Sequence, residues 1–207
     1  QYGTTSEQLA QVAVSARKHA CLNPAAEMQT PITVSDVLNS RVVADPLHAL
    51  DCSLWSDGGG AVIVVAAERA KDFPNRPVYF LGCGEAHWHE HFFQARSLTT
   101  TAASESGPRA YDMARLGVKD MDFAQIYDCF TPVVLMELED LGFCQKGEGG
   151  AFVEQGNIEL GGTIPVNTHG GLLAHSHTGH PGSMFALTEA VTQLRGSAGA
   201  RQVEHAE

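Results

Sequence analysis

Apolar positions recur along the chain with two alternating periods. Leu9, Val12, Ala13 and Ala16 fall at helical spacing behind a Thr4/Glu7 capping-box pattern, which predicts a helix over roughly 5–19. A loop carrying Pro24 and Pro31 follows, and then a short helix around Ser35–Asn39. Ala61-Val62-Ile63-Val64-Val65 is a continuous run after three glycines and predicts a strand buried on both faces. Val78-Tyr79-Phe80-Leu81 predicts a second strand, Phe123 to Cys129 a third and Ile164-Pro165-Val166 a short fourth. Between them, Pro108 suits the first residue of a helix that Gly117 closes. Thr131-Pro132 suits an N-cap and first turn, with Gly142 as the stop. Met184, Leu187, Val191 and Leu194 give an amphipathic helix that ends at Gly196.

Helices alternating with strands point to the α/β class. The stretch 71–77, with Pro74, Asn75 and Pro77, is the most linker-like and sets an expected boundary near residue 74.

Composition narrows the function classes. The 207 residues are 43% hydrophobic and carry a formal charge of −11, with no basic run. Nucleic acid and anionic membrane are therefore poor partners. The longest apolar run, Ala61 to Ala67, is far shorter than the ~20 residues of a membrane span. The first residues lack the pattern of a secretory signal, and no two of the five cysteines form C-x-x-C. Both features favour a reducing, cytoplasmic compartment.

Four segments could carry chemistry. Tyr127, Asp128 and Cys129 end a predicted strand and Phe130 leads into a helix, where open α/β sheets bind ligands. The run 167–182 packs four histidines (His169, His175, His177, His180) among four glycines, Gly170 and Gly171 included. Imidazoles supply acid–base groups, and glycines let backbone N–H groups approach an oxyanion. His87, His89 and His91 would share one face of a strand and could hold a metal, although a polar loop is the simpler reading. Ser56-Asp57-Gly58-Gly59-Gly60 lacks the lysine of a phosphate loop and reads as a tight turn.

Five stretches taken in order resemble the thiolase superfamily, nearest its sterol-carrier-protein-type thiolases and thiolase-like lipid-transfer proteins. They are Tyr2 to Ala10, Ser40 to Leu47, Ser56 to Gly59, Tyr127 to Thr131 with Leu141 to Cys144, and Asn167 to Gly171 with its histidines. The resemblance implies a thiolase fold, layered α-β-α-β-α with mixed sheets. Residues 1–74 would end the first half and 75–207 form most of the second, apparently truncated. It implies an acyl-CoA carbon–carbon bond enzyme with His177 in the oxyanion hole and His180 as the second choice. Thr178 stands where the family has Pro after that His.

Tyr127 stands where the family usually has His or Asn and would be the second donor, a feature shared with thiolase-like retro-aldolases. Asn167, His169, Gly170, Gly171, Asp128 and Phe130 would line the substrate. The family's nucleophilic cysteine is expected outside this chain. Coenzyme A would enter as substrate, with neither cofactor nor metal. A homodimer is implied, as is a small zinc-ribbon/OB-fold (DUF35-type) partner. Thiolysis or acyl transfer on a 3-ketoacyl-CoA is the first implied reaction; a retro-aldolase acting on a 3-hydroxyacyl-CoA and a non-catalytic subunit completed by a partner chain are the alternatives.

Overall fold

Helix α1 (Ser6–Cys21) is buried on nearly every side, and the rest of the chain is arranged around it. The computed structural model describes residues 1–89, 91–179 and 182–207. The N-cap of α1 is Thr5, one residue later than the pattern indicates. Its hydroxyl accepts the Gln8 N–H at 3.3 Å, and the Gln8 side chain accepts the Thr5 N–H at 3.2 Å. Gln8 closes the box because its side chain reaches back to the cap.

One face of α1, with Val12 and Ala16, packs on Ile126, Val166, Leu173 and the apolar face of α4 (Thr131–Asp140). The other face, with Ala10, Ala13 and Val14, meets Val37 of α2 (Val34–Asn39). Thr33 caps α2 with Asp36 in a second reciprocal box.

Further along, α3 is Ala103–Ala114 and α5 is Gly149–Glu154. Pro108 lies inside α3 rather than at its start. The helix begins earlier because the Asp140 carboxylate accepts both the N–H and the hydroxyl of Thr101, at 2.6 and 3.0 Å, and so organises the first turn. Arg115, in the left-handed region, ends α3 ahead of Gly117. In α4 the cap position is Phe130, and the Thr131 hydroxyl donates to Asp51 at 2.9 Å instead of capping. Gly142, at φ 87°, turns the chain out of α4 as expected.

The strand expectations fare differently. Among the described residues the only sheet is a hairpin of β1 (Val42–Ala44) and β2 (Leu47–His48). Residues 61–65 form no ladder, with Ile63 81% and Val64 85% exposed, so this run is not buried here. Residues 78–81 form no strand either, with Tyr79, Phe80 and Leu81 exposed. Residues 123–129 and 164–166 meet only at a parallel bridge between Ala124 and Val166. A β-branched run favours extended backbone, but a strand is made only by a neighbour that completes its hydrogen bonds.

Helix α6 (Gly182–Leu194) lies where predicted, but its orientation is not that of its apolar stripe. Leu187 is 43% exposed, whereas Glu189 and Gln193 are buried. They are buried because they are bonded: Arg201 pairs with Glu189 at 3.0 Å, and Thr168 donates to Glu189 at 2.7 Å. Burial alone would push the Glu189 carboxyl up, yet Arg201, Thr168 and Gln193 together outweigh it and hold it below its ordinary value. No described helix is long and apolar enough to cross a membrane.

Candidate active site

Two segments far apart in sequence meet where residues 123–130 end. Asn167 sits in the left-handed region at φ 52°, where Asn is tolerated better than most residues. Its side-chain amide accepts the Ile126 N–H and donates to the Ile126 C=O, both at 2.8 Å. This double bond fixes the start of the glycine loop against the extended segment. The chain then crosses Gly170 and Gly171, both at positive φ, into one π-helical turn, Gly171–His175.

Asp128 anchors that turn. Its carboxylate accepts the Leu172 N–H at 2.8 Å and the Leu173 N–H at 3.4 Å. A Cβ on Gly171 would collide with the same carboxylate, so glycine is required there by space as well as by φ. Asp128 is 2% exposed, and burial pushes its carboxyl up to about 6 against the pull of the two amides.

Past the turn, His177 comes opposite Tyr127. The phenol oxygen lies 3.4 Å from His177 Nε2, and the rings stand edge-to-face at 83° with centroids 6.2 Å apart. Tyr127 is 42% exposed, so the pair sits at an open face. Burial, then the neighbouring acidic groups Cys129, Asp128 and Glu137, raise the Tyr127 phenol above its ordinary value. It therefore stays protonated near neutral pH and can donate.

A third segment, residues 52–56, threads between the first two. Ser53 donates its N–H to the Cys129 C=O at 3.0 Å, Leu54 to Leu172 at 3.0 Å and Ser56 to His177 at 3.1 Å. The Ser53 hydroxyl lies 2.9 Å from His177 Nδ1, and the Ser56 hydroxyl accepts the His177 N–H at 2.7 Å. Ser53 has no local sequence signal as a site residue. Ser56 does, through the Ser56-Asp57-Gly58-Gly59 stretch. That stretch forms no hydrogen-bonded turn. A Cβ on Gly58 would come within 3.0 Å of the Phe185 ring, and one on Gly60 within 3.0 Å of the Met184 Cβ, so these glycines let the segment approach α6.

The structure thus brings together Tyr127 and His177, with the half-exposed Phe130 following on the same segment. Asp128, Asn167 and His169 lie behind them, each under 5% exposed. The Asp128 and Asn167 side chains bond backbone groups and shape the pocket from behind. His169 packs edge-to-face on His175, 5.2 Å away, and burial followed by the His175 charge pushes it down to about 3. It is a neutral interior ring. Gly170 and Gly171 are buried in the turn. His180 lies outside the described residues.

Glu137, which sequence reasoning passed over, is raised by burial to about 7, with the Tyr127 amide acting in the opposite direction. No compositional signal marks it, because its burial comes from packing of α4. Burial also pushes the Cys129 thiol up to about 11 and Cys144 to about 12, so neither supplies a thiolate at neutral pH. His87 pairs with Glu85 at 2.8 Å and His91 stacks on Phe93. No group of three or more metal-ligating side chains is placed to hold an ion among the described residues.

Comparison with known proteins gives this geometry a family. The chain is 43% identical over 208 residues to an acetyl-CoA acetyltransferase of Methanothermobacter thermautotrophicus, covering 100% of this chain and 54% of the relative. It is 41% identical over 203 residues to a steroid side-chain-cleaving aldolase of Thermomonospora curvata, covering 95% of this chain and 51% of the relative. Among solved structures, the Ltp2-ChsH2(DUF35) aldolase superposes with a TM-score of 0.89 at 37% identity, over 99% of this chain and 54% of that one. The chain spans about half the length of the curated relatives it matches. Residues 84–207 match the family model described as thiolase C-terminal domain-like, and the chain belongs to the thiolase family.

Proposed function

We propose that this chain is part of an acyl-CoA enzyme that makes or breaks the carbon–carbon bond next to the thioester. The observation that carries the reading is the Tyr127 hydroxyl 3.4 Å from His177 Nε2 at an exposed face. Two donors so placed can share one substrate oxygen. As the bond to the α-carbon breaks or forms, charge gathers on the thioester oxygen, and fixed donors stabilise it there. Tyr127 and His177 fill these roles, and Asp128, Asn167, Gly170 and Gly171 hold the loop that presents His177.

Thiolysis of a 3-ketoacyl-CoA is the first form of this reaction, with the nucleophilic cysteine outside these 207 residues. The raised Cys129 and Cys144 thiols support that placement of the nucleophile. Retro-aldol cleavage of a 3-hydroxyacyl-CoA is the second. Tyr127 at the junction favours it, and an aldolase is both a sequence relative and a structural neighbour. In that reaction the 3-hydroxyl loses its proton and the C2–C3 bond breaks. An aldehyde or ketone leaves, and the enolate takes up a proton to give the shortened acyl-CoA. Free coenzyme A enters as substrate in thiolysis only, and no resident cofactor is needed for either step.

The wider assembly follows the same reading. Residues 1–74 close the first half of a two-fold repeated fold and residues 75–207 make most of the second. A homodimer, a DUF35-type partner and a cytoplasmic setting complete the proposal. The partner is supported by the superposed Ltp2-ChsH2(DUF35) aldolase, whose name includes a DUF35 component.

The deciding experiment incubates the full-length protein with a 3-ketoacyl-CoA plus coenzyme A, and separately with a 3-hydroxyacyl-CoA alone. New acyl-CoA products from the first assign thiolysis. Aldehyde or ketone release from the second alone assigns the aldolase reaction. No turnover of either overturns the proposal.

A further inference from the structure

We propose that Ser53 is a positioning residue that fixes which nitrogen of His177 carries the proton. The inference rests on reading His177 as a donor to the substrate oxygen.

A neutral imidazole has one N–H and one bare nitrogen, and the bond made by one nitrogen sets the state of the other. His177 Nδ1 faces the Ser53 hydroxyl at 2.9 Å, and Nε2 faces the Tyr127 hydroxyl at 3.4 Å. Either direction of the Ser53–Nδ1 bond is geometrically allowed, and each direction fixes the opposite tautomer. With the Ser53 O–H donating to Nδ1, the ring proton sits on Nε2. The Nε2–H then lies beside the Tyr127 O–H, and both donors are available to one oxygen. With the opposite tautomer, Nδ1–H would donate to Ser53, and Nε2 would accept the Tyr127 proton. The two groups would satisfy each other and no donor would remain for substrate.

The main chain of Ser53 is fixed beside the pair. Its own N–H is bonded to the Cys129 C=O at 3.0 Å, which locks residue 53 to the segment carrying Tyr127. Ser56 holds the His177 main chain from the same segment, accepting its N–H at 2.7 Å. Ring and main chain of His177 are thus both held by residues 53–56. This segment carries no other group that could set the ring proton.

Histidine-labelled full-length protein, observed by nitrogen-15 NMR without any substrate, tests the idea, with His177→Gln used to assign the ring. The wild type is expected to carry its proton on Nε2. In Ser53→Ala the Tyr127 hydroxyl is free to donate to Nε2, and the tautomer ratio is expected to move about fivefold toward Nδ1–H, as one lost hydrogen bond would give. Ser53→Thr, which keeps the hydroxyl, is expected to restore the wild-type ratio. A wild-type ring protonated on Nδ1, or a Ser53→Ala ratio equal to wild type, overturns the proposal. If Ser53→Ala does not fold, the wild-type and Ser53→Thr rings still decide it. The readout needs no turnover, so its failure is separate from failure of the proposed reaction.

Discussion

The Asp128 carboxylate accepts the Leu172 N–H at 2.8 Å across 44 positions of sequence, tying the end of an extended segment to the loop that carries His177. This buried tie acts together with the Asn167–Ile126 bonds and with Ser53 and Ser56, which hold His177.

Asp128 makes stability depend on pH. Its folded pKa of about 6 lies above the ordinary 3.8, so the native state binds this proton more tightly than the unfolded chain does. The contribution is therefore fully present below pH 3.8 and lost as pH rises through about 6. Between pH 7.5 and pH 5 the wild type should gain on the order of 1 kcal/mol from this group, which Asp128→Asn lacks. Unfolding curves of both proteins across this range check it; parallel pH profiles would refute it.

The Asn167 amide satisfies both polar groups of the Ile126 backbone in the interior. Asn167→Ala strands that N–H and C=O and should cost about 2–4 kcal/mol. A denaturant midpoint lowered to match, with an unchanged slope, is the expected result.

Gly171 and Gly179 share positive φ but not surroundings. A Cβ at Gly171 meets the Asp128 carboxylate, whereas at Gly179 nothing lies within 4 Å. Gly179→Ala should cost only about 1 kcal/mol of backbone strain. Gly171→Ala should cost more than about 3 kcal/mol, because the anchor itself must move. Similar melting temperatures for the two variants would contradict this contrast.

Tyr127 and His177 lie at the open face, so their replacement should spare the fold. Tyr127→Phe and His177→Gln are each expected to lower kcat by about 100- to 1000-fold while unfolding like the wild type. Steady-state kinetics on the substrate identified above, alongside a thermal melt, reads both quantities.

The helices were legible because their signals are local. Gly142 and Gly196 mark ends of elements in the chain itself, and the order of motifs was enough to indicate the family. The Tyr127 junction and the His177 loop were legible as candidates for the same reason: their residue types are unusual for a plain loop. Pro108 misled because Asp140, far along the chain, starts α3 before it. The stripe of α6 misled because a Glu189–Arg201 pair can be buried when every charge is bonded.

The sequence by itself determined the helices and the family, since helix hydrogen bonds close within a few residues and motif order needs no geometry. Only the tertiary structure decided that Asp128 and Asn167 are buried anchors, that residues 61–65 lie exposed, and that Ser53 and Ser56 hold His177. The last of these contacts join residues 124 and 121 positions apart. Bonds over such distances form only when the intervening chain has packed, and no local pattern encodes them.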